Sequence, residues 1–291
     1  MRRRALLTAV AGAAVAGAGC LDREPEYDEE IVIDYGAYDV PAEVYDQWGG
    51  TADYHEFVSD PTKNGEAALH VPLEAGVTHA GNSLFDVGDP NWDVDTNGHG
   101  MVDALSSSFW LYVPEEFHLS TASTLRFWIS AMSHSAGDAH SAGGWPDGSN
   151  GWSTRPVLSR QDDSLADGNW HVSEYVYHID QENGERGDHT EYANVVVEPG
   201  WSHWELYVEC NTWDGEEANA DGVSMCWVDG ELAYENDDWR FTTSEANAIE
   251  YHGPSVYYWT EEVGSPSHQS LYYEGHEIRL DGPAEPHFDD G

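Results

Sequence analysis

Along most of the chain, apolar residues recur at every second position or in short runs, and the 3.6-residue spacing of an amphipathic helix is nearly absent. Runs bounded by Gly, Pro, Asn and Asp predict strands at Ala67–Val71, Ser108–Val113, Leu125–Ala131, Val172–Ile179, Ala193–Val197, His203–Cys210, Val223–Val228, Ser255–Trp259 and Leu271–Leu280. A further strand carries Ser153 and Arg155 behind a Gly-rich stretch. His203–Cys210 and Val223–Val228 read as a hairpin joined by a long acidic turn containing Asn219-Ala-Asp-Gly222. Many short strands with aromatic, Gly-rich connections predict an all-β chain folded as a β-sandwich or jelly roll. There is no Pro/Ser linker in mid-chain and no internal repeat, so residues 39–282 read as one domain.

The flanks read differently. Met1-Arg-Arg-Arg4, the small apolar run Ala5 to Gly19 and then Cys20 have the form of an export leader. The run is too short for a permanent membrane span, and the Arg pair suits the twin-arginine route. Gly17-Ala-Gly-Cys20 resembles a lipobox, in which Cys20 is lipidated and becomes the new N-terminus. The expectation is a leader over 1–20, an irregular acidic tether over 21–38 and a loose tail over 283–291. The protein would then be exported to the cell surface and touch the membrane only through its lipid, or be secreted. Export permits a disulfide between the other two cysteines, Cys210 and Cys226. Simple hairpin register sets Cys210 nearer Val223, so two buried thiols remain the competing reading.

Charge changes the picture further. Lys and Arg number 11 against 55 Asp and Glu, a formal net charge of -44. Three of the basic residues lie in the leader, leaving eight. Such a chain repels itself in dilute buffer, whereas in about 1 M salt the Debye length is only about 3 Å. The composition fits a protein that works in brine. With 13 Trp, 16 Tyr and 40% hydrophobic residues it can build a core, which argues against acidic disorder. No basic face is available for nucleic acid, and a monomer is expected.

The stretch richest in chemistry is Gly143-Gly-Trp145-Pro-Asp-Gly-Ser-Asn-Gly-Trp152-Ser-Thr-Arg155, followed by Pro-Val-Leu-Ser-Arg160. Glu174-Tyr-Val-Tyr177-His-Ile-Asp180 comes next; on a strand Tyr175 and Tyr177 share one face and His178 takes the other. Then follow Trp204 through Asn211-Thr212, Trp227-Val-Asp-Gly230, Val256-Tyr-Tyr-Trp259 and Tyr272-Tyr273. This succession, over roughly residues 65–281, resembles the jelly-roll polysaccharide lyases, especially the alginate and glucuronan lyases with a concanavalin A-like sandwich. Their order is a Gly-Gly loop, a Ser-x-Arg strand, a Tyr-x-Tyr strand, a Trp-led strand ending in Asn-Thr, Trp-Val-Asp-Gly, and aromatic last strands.

The resemblance implies an acidic, uronate-containing polysaccharide as substrate and β-elimination as the reaction. Arg155 would neutralise the uronate carboxylate through its planar donors. Tyr175 or Tyr177 would serve as base and acid, and Ser153 would position the sugar. His79, in Thr78-His-Ala-Gly-Asn82, is a second candidate base; Asn82, Arg126, Arg160, Trp145 and Trp152 are candidate substrate contacts. The family's lysine on the strand before the Gly loop has no counterpart, the nearest cation being Arg126. One extra residue separates Arg155 from Arg160, with Pro156 between them, and a bulge could absorb it. His134, His140, His171 and His178 read as surface or loop residues, and no zinc spacing is present. The chemistry requires no cofactor. A structural calcium is the one ion the sequence offers, on Asp93, Asp95, Asn97 and Asp103.

Two competing functions stay open. A non-catalytic carbohydrate-binding sandwich would use Trp145, Trp152 and the tyrosines as stacking platforms. A glycoside hydrolase of the same sandwich class would need two carboxylates on one strand face, and no convincing strand carries Glu-x-Asp-x-x-Glu.

Overall fold

A computed structural model describes residues 29–87, 101–119, 123–133, 146–160, 169–181, 186–244, 247–259 and 264–282. In chain order the strands begin with β1 (Glu29–Ile33), β2 (Asp46–Trp48), β3 (Glu56–Val58), β4 (Ala68–Leu73), β5 (His79–Asp86) and β6 (Ala104–Val113). They continue with β7 (Ser123–Ser133), β8 (Trp152–Arg160), β9 (Trp170–Tyr177), β10 (Asp188–His189), β11 (Val196–Val197) and β12 (Gly200–Glu209). The last are β13 (Trp213–Asp214), β14 (Glu217–Ala218), β15 (Gly222–Val228), β16 (Glu231–Trp239), β17 (Tyr251–Trp259) and β18 (Gln269–Leu280).

The chain is an all-β jelly-roll sandwich of two large antiparallel sheets. The first runs β16-β15-β12-β6-β18-β4-β3, with β1 added on β18; the second runs β10-β9-β8-β7-β17-β5-β2, with β11 on β9. Alternation along each strand sends one set of side chains between the sheets. Across that gap Phe109 of β6 stacks on Trp128 of β7, centroids 3.7 Å apart. Trp204 of β12 meets Phe127 of β7 edge-on at 4.7 Å, and the Tyr273 hydroxyl of β18 donates to the Phe127 carbonyl at 2.8 Å. Truncating any one of these buried rings costs about 3–5 kcal/mol.

Two prolines shape the middle of the second sheet. Pro156 of β8 and Pro254 of β17 both face β7 and have no N–H to donate. Pairing between β7 and β8 is irregular from Arg126 to Ala131, where five steps of β7 span three of β8. The register of β7 with β17 also shifts here. The bulge lets adjacent Phe127 and Trp128 both join the core while Arg126 lies against the outer ring of Tyr175. The register of β8 with β9 is unbroken through Pro156, so β8 carries no bulge towards β9 between Arg155 and Arg160; the surplus residues of the irregular stretch belong to β7.

The acidic stretch expected to be an irregular tether up to residue 38 is structured from residue 29. Glu29–Ile33 pairs with Leu280–His276. Ile31, Ile33 and Tyr35 alternate inward and are buried, an alternation masked in the sequence by the carboxylates around it. Cys210 and Cys226 are free buried thiols. Cys226 lies opposite Leu206, and Val223 opposite Glu209, so the hairpin register keeps the sulfurs on different rungs.

Glu174 of β9 points into the sandwich and is fully buried. Its carboxylate accepts from the Thr154 hydroxyl beside it. It also accepts from Ser224 Oγ at 2.9 Å and Asn236 Nδ2 at 2.8 Å, both on the other sheet. Burial, the leading cause, pushes its pKa up from 4.5 to about 7 despite these donors. Between those values the folded state holds a proton that the unfolded state releases. The group's contribution to stability is therefore full below about pH 4.5 and lost as pH rises through about 7. Glu174→Gln retains an acceptor for Ser224 and Asn236, and the Thr154 hydroxyl can rotate to accept. The variant is expected to show a smaller fall in melting temperature than the parent between about pH 5 and about pH 8 in calorimetric scans.

Candidate active site

On β8 and β9, Arg155 lies opposite Tyr175 and Ser153 opposite Tyr177. Trp152 and Val176 belong to the core, and Thr154 bonds the inward Glu174. Alternation therefore puts Ser153, Arg155, Tyr175 and Tyr177 together on the outer face of the second sheet. The β7 bulge adds Arg126, whose guanidinium lies 3.8 Å from the Tyr175 ring and 5.0 Å from the Tyr257 ring of β17. Tyr257 is 5.9 Å from the His79 ring of β5. Tyr175 and Tyr177 meet edge to face at 5.1 Å, and Arg155 lies 5.7 Å from the Tyr177 ring. One unbroken line of contacts thus runs across β5, β17, β7, β9 and β8. Gly49, at φ +73°, closes on His79; a Cβ there would sit 2.9 Å from its Cε1.

Burial sets the electrostatics. Arg155 is 8% exposed. Desolvation first, and then Arg126, bring its pKa down to about 10, so it stays cationic at neutral pH. Burial raises the Tyr177 phenol to about 12; Tyr175 adds to the rise and the two arginines oppose it. His79 is lowered from 6.5, chiefly by burial and secondly by Arg155, against a hydrogen bond with Asn82. The Tyr175 hydroxyl accepts the Gly187 N–H at 2.8 Å. Arg126 Nε, Arg155 Nε and Ser153 Oγ are buried with no hydrogen-bond partner among the described residues. Orphaned donors on adjacent strands are costly unless an acceptor arrives.

Beside Tyr175 a cleft of about 340 Å³ opens, lined by Arg126, Arg160, Arg186, His189, Tyr192 and Trp259 among others. Seven Lys and Arg occur among the described residues, and four of them (Arg126, Arg155, Arg160 and Arg186) serve this face. The other arginines pair elsewhere, Arg240 with Asp180 and Arg279 with Glu30. His189 packs 4.6 Å from Tyr175, and burial, then Arg126, lowers its pKa to about 4. Sequence reasoning missed His189, Tyr257, Arg186, Tyr192 and Trp259. Tyr257 and Trp259 share a face by simple alternation, and the scarcity of cations could have flagged Arg186.

Of the residues singled out in the sequence, Arg155, Tyr175, Tyr177, Ser153, Arg126, Arg160 and His79 come together here. Asn82 sits beside His79 and accepts from Ser255 Oγ at 2.6 Å. Trp152 does not join them. Alternation turns it into the core, fully buried, where it stacks on Phe241 at 4.7 Å and donates to the Asn247 carbonyl; it is no sugar platform. Trp145, Cys20, Asp93, Asp95 and Asn97 lie outside the described residues. The Asp103 backbone N–H donates to Asp281 Oδ1 at 3.0 Å, and no group of three or more metal-type ligands occurs among the described residues. His178, expected at the surface, is buried and bonds Asp188 at 3.0 Å. On β7 the position opposite Ser153 is Met132, packed with Leu84, Ile129 and Tyr251.

No family model and no curated protein matches the sequence. Solved structures do match. An alginate lyase from a Chlorella virus superposes with a TM-score of 0.59 at 14% identity, covering 82% of this chain and 94% of that one. An alginate lyase from Aplysia kurodai gives 0.55 at 15%, covering 81% and 90%. An endo-β-1,4-glucuronan lyase from the fungus Trichoderma reesei gives 0.53 at 13%, covering 90% and 100%. These likenesses establish the sandwich fold; the chemistry rests on the side chains. Arg155→Ala is expected to weaken any carboxylate-bearing ligand of this face by about 1.5–3 kcal/mol in titration calorimetry, while Arg240→Ala leaves its affinity unchanged.

Proposed function

We propose that the protein is a polysaccharide lyase that cleaves a uronate-containing acidic polymer by β-elimination. The observation that carries this reading is the convergence of Arg155, Arg126, Tyr175, Tyr177 and His79 on one sheet face, with two orphaned guanidinium nitrogens, in a chain otherwise stripped of cations. In the reaction a base removes the proton next to the carboxylate. The electron pair forms the double bond, and the glycosidic oxygen leaves from the neighbouring carbon with a proton from an acid.

Each group suits one of these tasks. Arg155, cationic and short of an acceptor at Nε, holds the uronate carboxylate and spreads the charge that grows on it. Arg126 supplies a second cation beside Tyr175. Tyr177, with its phenol pushed up to about 12, keeps its proton at neutral pH and is matched to the leaving oxygen. His79, lowered by burial, is a neutral imidazole able to take a proton. Tyr175 positions Arg126 and anchors Gly187. The cleft lined by Arg160 and Arg186 carries the polymer to this cluster. Local arginines dominate at contact, and salt screens the repulsion between an acidic protein and an acidic chain.

The same proposal includes export, attachment through a lipid on Cys20 and work in concentrated salt. It rests on the leader-like residues 1–20 and the charge of -44. A lyase held at the surface would release its product beside the cell.

The test is incubation in concentrated salt with alginate, glucuronan and related polymers, following ultraviolet absorbance of the unsaturated uronate. Product is expected from the parent protein. Arg155→Ala and Tyr177→Phe are each expected to lower turnover by about 10²–10⁴-fold. Because His79 works neutral, kcat/KM is expected to fall as pH drops below its lowered pKa, and His79→Ala removes that limb. A folded protein that binds uronate oligomers and yields no unsaturated product on any polymer would be a binding sandwich instead.

A further inference from the structure

The outer face of the other sheet, on the far side of the sandwich from Arg155, has its own organisation. His70 of β4, Tyr272 of β18, Tyr112 of β6 and Trp201 of β12 lie directly opposite one another in cross-strand register. Their rings touch in sequence, with centroid separations of 4.9, 5.9 and 5.2 Å. Each is only partly buried. Four adjacent strands make the row about 14 Å long. The Tyr112 and Trp201 planes are tilted 43° to each other. Beside Tyr272 the row borders a pocket of about 200 Å³ that Ser270, Gln269 and Pro72 also line. A long strip of partly exposed aromatic rings on a chain this polar marks a ligand surface rather than chance exposure.

A second observation says what kind of ligand. Two residues along β12 from His203, Glu205 lies between Ser108 of β6 and Trp227 of β15 and is only 6% exposed. Its Oε2 has no hydrogen-bond partner among the described residues, and its Oε1 is 3.7 Å from His203 Nδ1. A buried carboxylate oxygen of this kind calls for a donor. The face also holds Glu56, Glu274 and Glu277, while its cations are engaged. Lys63 covers Trp110 at 4.5 Å, and Arg279 bonds Glu30. Such a surface repels a uronate chain and welcomes hydroxyl groups.

We propose that this face is a second saccharide-binding site, specific for neutral, hydroxyl-rich glycan. The C–H faces of pyranose rings pack on Tyr112 and Trp201, and a sugar hydroxyl donates to Glu205 Oε2. The sandwich then presents opposite chemistries on its two sides, arginines for a polyanion and aromatics with carboxylates for an uncharged chain. This proposal does not depend on the lyase reading.

The test is titration of the full chain, in concentrated salt, with cello-, malto- and xylo-oligosaccharides, followed by tryptophan fluorescence and calorimetry. Saturable binding of at least one neutral series is expected. Trp201→Ala and Glu205→Gln should each weaken it about tenfold, Trp201→Phe should largely restore it, and Arg155→Ala should leave it unchanged. Near-ultraviolet circular dichroism checks that each variant is folded. The proposal is overturned if no neutral oligosaccharide binds, or if binding follows Arg155 and ignores Trp201 and Glu205. It is equally overturned if sedimentation shows self-association that Trp201→Ala abolishes, since a second copy would then be the occupant.

Discussion

Proline cannot donate a backbone hydrogen bond, and that single deficit organises the centre of this molecule. With Pro156 and Pro254 on either side, β7 cannot run as a regular ladder, and its irregular stretch is where it becomes most useful. It supplies two consecutive aromatic rings to the core and still delivers Arg126 to the outer surface. Without the bulge, strict alternation would force a choice between filling the sandwich with Trp128 and placing a cation beside Tyr175. The prolines sit on the strands that also carry Arg155 and Tyr257, so backbone irregularity and chemistry fall at the same place.

The second organising fact is the partition of polarity between three zones. The interior is aromatic and carries a polar bridge at Glu174, which ties Thr154 on one sheet to Ser224 and Asn236 on the other. One outer face gathers most of the described arginines. The other combines rings with carboxylates. In a chain with a net charge of -44, assembling cations within a few ångströms of one another is costly. The lowered pKa of Arg155 records that cost, with burial as its main source and Arg126 next.

Much of the sandwich could be read from period-two patterning. Every strand predicted from the apolar runs has a counterpart, though β6, β7, β12 and β17 extend beyond the predicted ends and the strand expected over Ala193–Val197 shrinks to the two residues of β11. What stayed hidden was strand made of acidic residues. β16 reads Glu231-Leu-Ala-Tyr-Glu-Asn-Asp-Asp-Trp239, and β1 begins with two glutamates; an outer face selected for charge erases the apolar half of the signal. β5 was missed because small and polar residues fill a strand buried along nearly its whole length. At the site, motif order located Arg155 and the tyrosine pair. Trp152 was misjudged because proximity to the motif was weighed above its phase with Thr154. Tyr257 and His189 were missed because only sheet order brings β17 and β10 to flank β7 and β9.

The pairing of β1 with β18 has a geometric consequence for the attachment proposed at Cys20. The sandwich begins at Glu29, so only residues 21–28 separate it from the anchoring sulfur. Eight residues reach at most about 30 Å even fully extended, roughly the thickness of a bilayer's hydrocarbon core. Attached in that way, the domain would not sweep the medium at a distance. Any polymer it handled would have to come down to the lipid headgroups, and the short leash would limit how freely either outer face turns towards it.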